Sequence, residues 1–227
     1  MVKLLKENLQ VFKTIALPLF ILVILSSTLD QYLNMRVEEI LRDPSGVTTS
    51  LYIFGFISLI SGVIFPVFLF TLALFALRSL EGWKQGLGEF FHHYINQIFI
   101  ETLRSWGKTL SWALLFIIPG FWKFLEYSLV PFVVTASPRY DLGQEDALEA
   151  SSQVFRKHWG KILSVLILFH VFIPLVLTGL FDAYRLIWKT PVQSLLLNLL
   201  DTYLLLLSTQ ILFRIFRSEV PADESHV

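Results

Sequence analysis

Trp112-Ala113-Leu114-Leu115-Phe116-Ile117-Ile118-Pro119-Gly120-Phe121-Trp122 lies near the middle of a 227-residue chain, and its reading decides how often that chain crosses a bilayer. It sits inside a mostly apolar run, Thr109 to Thr135, of 27 residues. One helix needs about 20 apolar residues to cross a hydrocarbon core roughly 30 Å thick, so this run is generous for one span and short for two. Proline removes a backbone donor and glycine weakens a helix, so Pro119-Gly120 is the natural place for the run to divide.

Working outward, further apolar runs occupy Thr14 to Leu29, Leu51 to Leu77, Lys161 to Phe181 and Pro191 to Phe213. With 55% hydrophobic residues, a mean hydropathy of +0.64 and 21 Phe, the chain exceeds what one water-soluble domain of this size can bury. The expected fold is all-α: a polytopic membrane helical bundle forming one integral membrane domain over 1–227. Its six spans are placed at about 12–29, 51–77, 97–118, 120–136, 161–181 and 191–213. The first run follows Lys3, Lys6 and Lys13 and precedes Ser26-Ser27-Thr28, a weakly cleavage-like pattern, but its length and the apolar run soon after it favour a retained span. Between spans one and two the reading is a polar linker, 30–50, with a turn at Asp43-Pro44-Ser45-Gly46. The mixed segment from Arg78 to Tyr94, with Gly82, Gly86, Gly88 and Trp83, reads as an interfacial elbow.

Charge chooses between five spans and six. Dividing the central run at Pro119-Gly120 puts thirteen Lys and Arg residues on or near the cytoplasmic side and four (Arg36, Arg42, Arg185, Lys189) outside, with Lys123 in the outer part of a span. Leaving it whole flips everything downstream and gives nine against eight. The excess of cytoplasmic Lys and Arg in membrane proteins therefore favours six spans with both termini cytoplasmic. Its cost is a third span carrying Glu101, Arg104 and Lys108 in its inner half.

The polar stretch Ser137 to Gly160 has an acidic start (Glu145, Asp146, Glu149) and a basic end (Arg156, Lys157), suiting a helix dipole. The expectation is an interfacial helix on the cytoplasmic surface. Here the motifs form a pattern: Ile117-Ile118-Pro119-Gly120-Phe121-Trp122, then Ser128-Leu129-Val130-Pro131-Phe132, then Asp146-Ala147-Leu148 with Ser151 and Lys157-His158-Trp159. In order and spacing the chain resembles the YciC-like bacterial inner-membrane proteins, themselves similar to the membrane domain attached to some glycerophosphodiester phosphodiesterases. The resemblance is strongest from about Trp112 to Leu166. It implies six helices with the Pro-Gly break between the third and fourth, a multi-pass location in the bacterial inner membrane, and no catalytic residues to carry over. The residues that carry it include Pro119, Gly120, Pro131, Asp146, Ala147, Ser151 and Trp159; the charged Lys123 and Glu126 just after the break depart from it.

Intramembrane polar residues are the candidates for a site. Asp201 lies about ten residues into the last span, with Asn198 one turn before it, and His170 lies about as deep in the preceding span. An interhelical hydrogen bond is one reading of His170, Asn198 and Asp201, and a proton- or cation-linked site is the other. Glu101, Arg104 and Lys108 share a helix face, as do Lys123 and Glu126, and both sets read as ion pairs. Glu89, His92 and His93 lack a second cluster of ligands, so no metal is expected. No phosphate loop, serine nucleophile with a basic partner or paired catalytic carboxylate is readable, and there is no Cys. The sequence thus leads to a non-catalytic scaffold or lipid- and protein-interaction protein of the cell envelope, without cofactor. Its expected partners are the lipid bilayer and a membrane-protein partner or a second copy; the zero net charge gives no argument for nucleic acid. The alternative is a small-molecule, ion or lipid transporter with a midplane polar site.

Overall fold

A backbone in hydrocarbon must satisfy its own hydrogen bonds, and this chain does so by staying helical almost throughout. The computed structural model describes residues 2–42, 49–84, 86–183 and 191–220. Among these, the elements are α1 (Val2–Arg42), α2 (Thr49–Leu80), α3 (Leu87–Leu115), α4 (Ile117–Glu126), α5 (Val130–Ala136), α6 (Pro138–Asp141), α7 (Ala147–Ile167), a π-turn (Leu168–Phe172), α8 (Ile173–Ala183) and α9 (Pro191–Arg217), with no strand. Five stretches are long and apolar enough to cross a bilayer: Glu7–Arg42, Thr49–Leu80, Ile117–Ala136, Ala147–Leu177 and Leu195–Arg217. Over the described residues the chain is all-helical, and its long apolar helices are those of a multi-pass membrane protein.

Two boundaries differ from the sequence reading. The linker expected from residue 30 is helical as far as Arg42, because its charges pair along the helix: Arg36 with Glu39 at 2.9 Å and Arg42 with Glu38 at 2.5 Å. The expected turn at Asp43-Pro44-Ser45-Gly46 lies outside the described residues. The boundary expected between the interfacial helix and the fifth span is present inside α7, where the backbone leaves the helical conformation at His158 (φ −121°, ψ 20°). The central break falls at Phe116, which is extended (φ −153°, ψ 130°), and not at Pro119-Gly120. Pro119 is the third residue of α4, where a helix has no intrahelical use for a backbone donor. Gly120 serves a close approach instead: a Cβ placed there would lie 2.5 Å from the Cα of Ala113. Contact between residues seven apart requires the chain to reverse, so α3 and α4 form a tight hairpin.

Contacts divide the chain into two units, residues 1–72 with 172–206 and residues 73–171 with 207–227. In the first, α1 buries Val11, Ile15, Leu19 and Val23 at intervals of four and leaves Leu17, Ile21 and Leu25 exposed. Asp30 on α1 accepts hydrogen bonds from Ser26 at 3.4 Å and from Ser61 on α2 at 3.5 Å. Most of the apolar surface of α2 in this unit is open, including Tyr52, Phe56 and Leu59. Such a face needs an apolar solvent, and lipid supplies it.

The second unit has the denser core. Phe132 of α5 stacks on Phe216 of α9 at 6.2 Å and lies 5.8 Å from Phe213, while Phe75, Phe90 and Trp83 meet edge to face at 5.5–5.8 Å. Trp83 and Phe90, expected at an interfacial elbow, thus close the turn between α2 and α3, where Gly82 takes the left-handed conformation (φ 102°). The limb α3 packs along α4, α5 and α7. It is absent from the five apolar stretches, although residues 97–118 were expected to span, because Glu101, Arg104 and Lys108 interrupt it.

Candidate functional site

The most concentrated polar chemistry in the second unit surrounds a carboxylate that sequence spacing only half identified. Glu126 ends α4 and is 2% exposed. Its oxygens accept from Lys123 Nζ at 2.5 Å, from Trp122 Nε1 at 3.2 Å and from Arg156 Nε on α7 at 3.2 Å. A buried carboxylate is tolerable when charged donors surround it, and two cations with an indole N–H supply that. Lys123 and Trp122 come from one turn of the same helix; Arg156 is 30 residues away in sequence.

Ser151 completes the join. Residues 127–129 interrupt the helix between α4 and α5, since Val130 N–H bonds the Tyr127 carbonyl and leaves that of Glu126 without its helical donor. The Ser151 hydroxyl donates to that carbonyl at 2.6 Å and accepts from the Leu129 N–H at 3.2 Å. Ser151 is fully buried, so both bonds are shielded from water.

A second cluster marks the start of α7. Asp146 is its N-cap, accepting from the N–H groups of Leu148 (3.0 Å) and Glu149 (3.2 Å), and its other oxygen lies 2.6 Å from Arg104 on α3. Arg104 also reaches Glu101 at 3.3 Å. Partial burial pushes the Asp146 carboxyl up, but the bonds from Arg104 and the helix N–H groups outweigh it and hold the group below its ordinary value. Burial and the neighbouring Glu101 push the Tyr140 hydroxyl up. Nearby, Ser137 donates to Glu145 at 2.9 Å.

A depressed acid contributes stability above its unfolded pKa, near 4, and that contribution is lost as pH falls through its folded value. Asp146→Ala is therefore expected to lose about 1 kcal/mol, from the cap and a half-exposed ion pair, and Asp146→Asn less. The gap between wild type and Asp146→Asn should close on acidification below about pH 4. Thermal unfolding of the detergent-solubilised protein from pH 3 to pH 7 measures it; a gap independent of pH would remove Arg104 from the account.

At the C-terminal end of α9, Arg217 grips Glu81 through two bonds of 2.6 and 2.8 Å and donates to the Ala136 carbonyl at 2.8 Å. Lys157 and His158 converge on Glu219 at 2.6 and 2.9 Å, and these two bonds hold the Glu219 carboxyl below its ordinary range. Arg78 pairs with Glu81 at 3.0 Å. The pattern is consistent: charged groups tie one helix to another.

Of the candidate midplane residues, Asn198 and Asp201 belong to the first unit and His170 to the second. Asn198 donates to Ser27 of α1 at 2.5 Å, which is a packing bond within the first unit. Asp201, in that same unit, is exposed, and His170 is exposed within the π-turn of the second unit. The π-turn has a local cause, because Pro174 four residues after His170 cannot donate to its carbonyl. Of the motif residues, Asp146 and Ser151 join helices, Gly120 permits the α3–α4 approach, and Ala147 is buried. Trp159 stands exposed beside Trp122, ring centroids 6.3 Å apart. Pro131 lies in the first turn of α5.

Sequence reasoning missed Ser151 as the bridge and Arg156 as the partner of Glu126. The available signal was a lone Glu at the end of an apolar segment, which demands more than one neutralising donor. Among the described residues no group of three or more His, Asp or Glu is placed to hold a metal ion. Comparison with protein-family models, with curated proteins and with solved structures gave no match.

Proposed function

We propose that this chain is a non-catalytic, multi-pass protein of the bacterial inner membrane, of the YciC-like kind, that acts through contact with lipid and other membrane proteins. One observation supports this reading above others: the carboxylates Glu126, Asp146, Glu81 and Glu219 of the second unit are each held by a cation from elsewhere in the unit. Meanwhile large apolar faces on α1 and α2 stay open. A protein so arranged offers surface, not reacting groups. Both termini are assigned to the cytoplasmic side on the distribution of Lys and Arg along the chain. Native mass spectrometry of the protein gently extracted from its own membrane tests the reading. Stoichiometric protein or retained phospholipid is the expected outcome; a bound polar solute in place of both would overturn it.

A transporter is the second reading, favoured by the exposed Asp201 on an apolar helix. On the scaffold reading Asp201→Asn leaves thermal stability within about 0.5 kcal/mol of the parent and leaves co-purifying partners in place. Abolition of a pH-dependent solute flux in reconstituted vesicles, with folding intact, would transfer the assignment to transport.

A further inference from the structure

Of the two limbs of the α3–α4 hairpin, only the one that continues through α5, Ile117–Ala136, is long and apolar enough to cross a membrane, and α3, which runs antiparallel to it, is not. From Thr109 to Trp122 there are fourteen residues without an ionisable side chain, centred on the reversal at Phe116. Each limb therefore offers about seven, or roughly 10 Å of helix rise, before Lys108 on one side and Lys123 on the other. One leaflet of hydrocarbon is about 15 Å deep and the full core about 30 Å.

The tip itself is apolar and open. Leu114, Ile117 and Ile118 are 88%, 82% and 83% exposed, with Leu115 and Phe116 beside them. Below it comes a collar of cations, Lys108, Lys123 and Arg156, with Trp122 and Trp159 at the same level. Tryptophan and long basic side chains suit the boundary between acyl chains and headgroups. Lys123 and Arg156 share the single Glu126 carboxylate, which leaves this part of the collar with a net positive charge toward phosphate.

The Arg156–Glu126 contact also fixes depth. Glu126 lies nine residues from the start of α4 and Arg156 nine residues into α7, so contact between them ties the depth of one helix to that of the other. The two touch at 3.2 Å, so they occupy the same level. At the wider end, Arg104 meets Asp146 at 2.6 Å, again joining α3 to the start of α7.

We propose that the α3–α4 hairpin is a re-entrant wedge, seated in the acyl chains of a single leaflet and entering from the side on which α7 begins, with phospholipid phosphates against Lys108, Lys123 and Arg156. This rests on the reading of the chain as a membrane protein and adds to it the depth and the partner of one element. The occupant of the exposed tip is lipid tail. The polar turn α6 and the N-cap Asp146 lie at its entrance, outside the hydrocarbon. The positive charge of Lys123 joins the basic-rich side instead of opposing it.

The absence of native Cys permits a direct test in the full-length chain reconstituted into phosphatidylcholine–phosphatidylglycerol vesicles. Single cysteines replace Ile117 at the tip, exposed Gln144 at the entrance and exposed Leu59 on α2, each probed with a membrane-impermeant maleimide from either face and then as a nitroxide. Ile117→Cys should escape the reagent from both faces and its nitroxide should relax strongly with oxygen and weakly with a water-soluble paramagnet. Gln144→Cys should react from one face only. Reaction of Ile117→Cys from the face opposite to Gln144→Cys would establish full crossing and overturn the wedge, and reaction from the same face would place the hairpin in water and overturn it as well. Leu59→Cys separates the two claims: if it stays protected while Ile117→Cys reacts, the wedge alone fails, whereas reaction at both means the membrane reading fails with it.

Discussion

Replacing Lys123 and Arg156 together by methionine is expected to cost about 3–5 kcal/mol of stability, more than replacing the glutamate they share. The asymmetry follows from where each partner lies. Glu126 is 2% exposed, whereas Lys123 and Arg156 retain 24% and 66% of their side-chain surface. Removing the cations strands a buried carboxylate with only the Trp122 N–H. Removing the carboxylate releases two cations able to reach water or phosphate, so Glu126→Gln should cost nearer 1–2 kcal/mol. Adding Glu126→Met to the double variant should recover much of the loss, because a well-packed apolar trio is often as stable as a buried charged one. Reversible unfolding by SDS in mixed micelles gives these differences. A double variant within about 1 kcal/mol of the parent would show that Glu126 is not confined as its burial implies.

Gly120→Ala is expected to lose about 1–3 kcal/mol, an unusual penalty for adding one methyl group to a helix. In most helices alanine is the more favourable residue, by up to about 1 kcal/mol. Here the added carbon would meet Ala113 at 2.5 Å from Cα and Cβ and 2.7 Å from the backbone nitrogen. Backbone cannot rotate aside, so the two limbs of the hairpin must part. Ala113→Gly removes only one of the three clashing atoms and should not rescue the variant. Gly120→Val should be worse than Gly120→Ala, again by SDS titration. Equal stability of Gly120→Ala and the parent would mean that α3 and α4 sit further apart than described.

How much of this could be read in advance varies by residue. The long apolar stretch from Leu51 to Leu77 was legible because hydropathy and length alone decide it, and α2 covers it. The helical character of 30–42 was present as i, i+3 and i, i+4 charge pairs, Arg36 with Glu39 and Glu38 with Arg42, but a charged segment after an apolar run also reads as a linker. The central break was legible to within a few residues: Pro119 marks it, yet the first turn of a helix accommodates proline, so the chain turns at Phe116. Pairing along one helix, as between Lys123 and Glu126, is encoded in spacing. Pairing between helices is not: nothing local couples Arg156 to Glu126, 30 residues apart, or Arg217 to Glu81, 136 apart. The depths of His170 and Asp201 could be counted along their helices, but the direction each side chain faces depends on packing that the count does not contain.

The hydroxyl of Ser151 also orders events during synthesis. It stands in for a peptide group across the interruption between α4 and α5, and it is encoded 25 residues after the carbonyl it binds. At about 5–20 residues per second, the ribosome leaves that stretch open for on the order of one to five seconds. During this interval Glu126 also lacks Arg156, so the segment waits with an open carbonyl, an open N–H and an under-neutralised acid. The joint between α4 and α5 therefore cannot close until the first turns of α7 arrive, and these act as its latch.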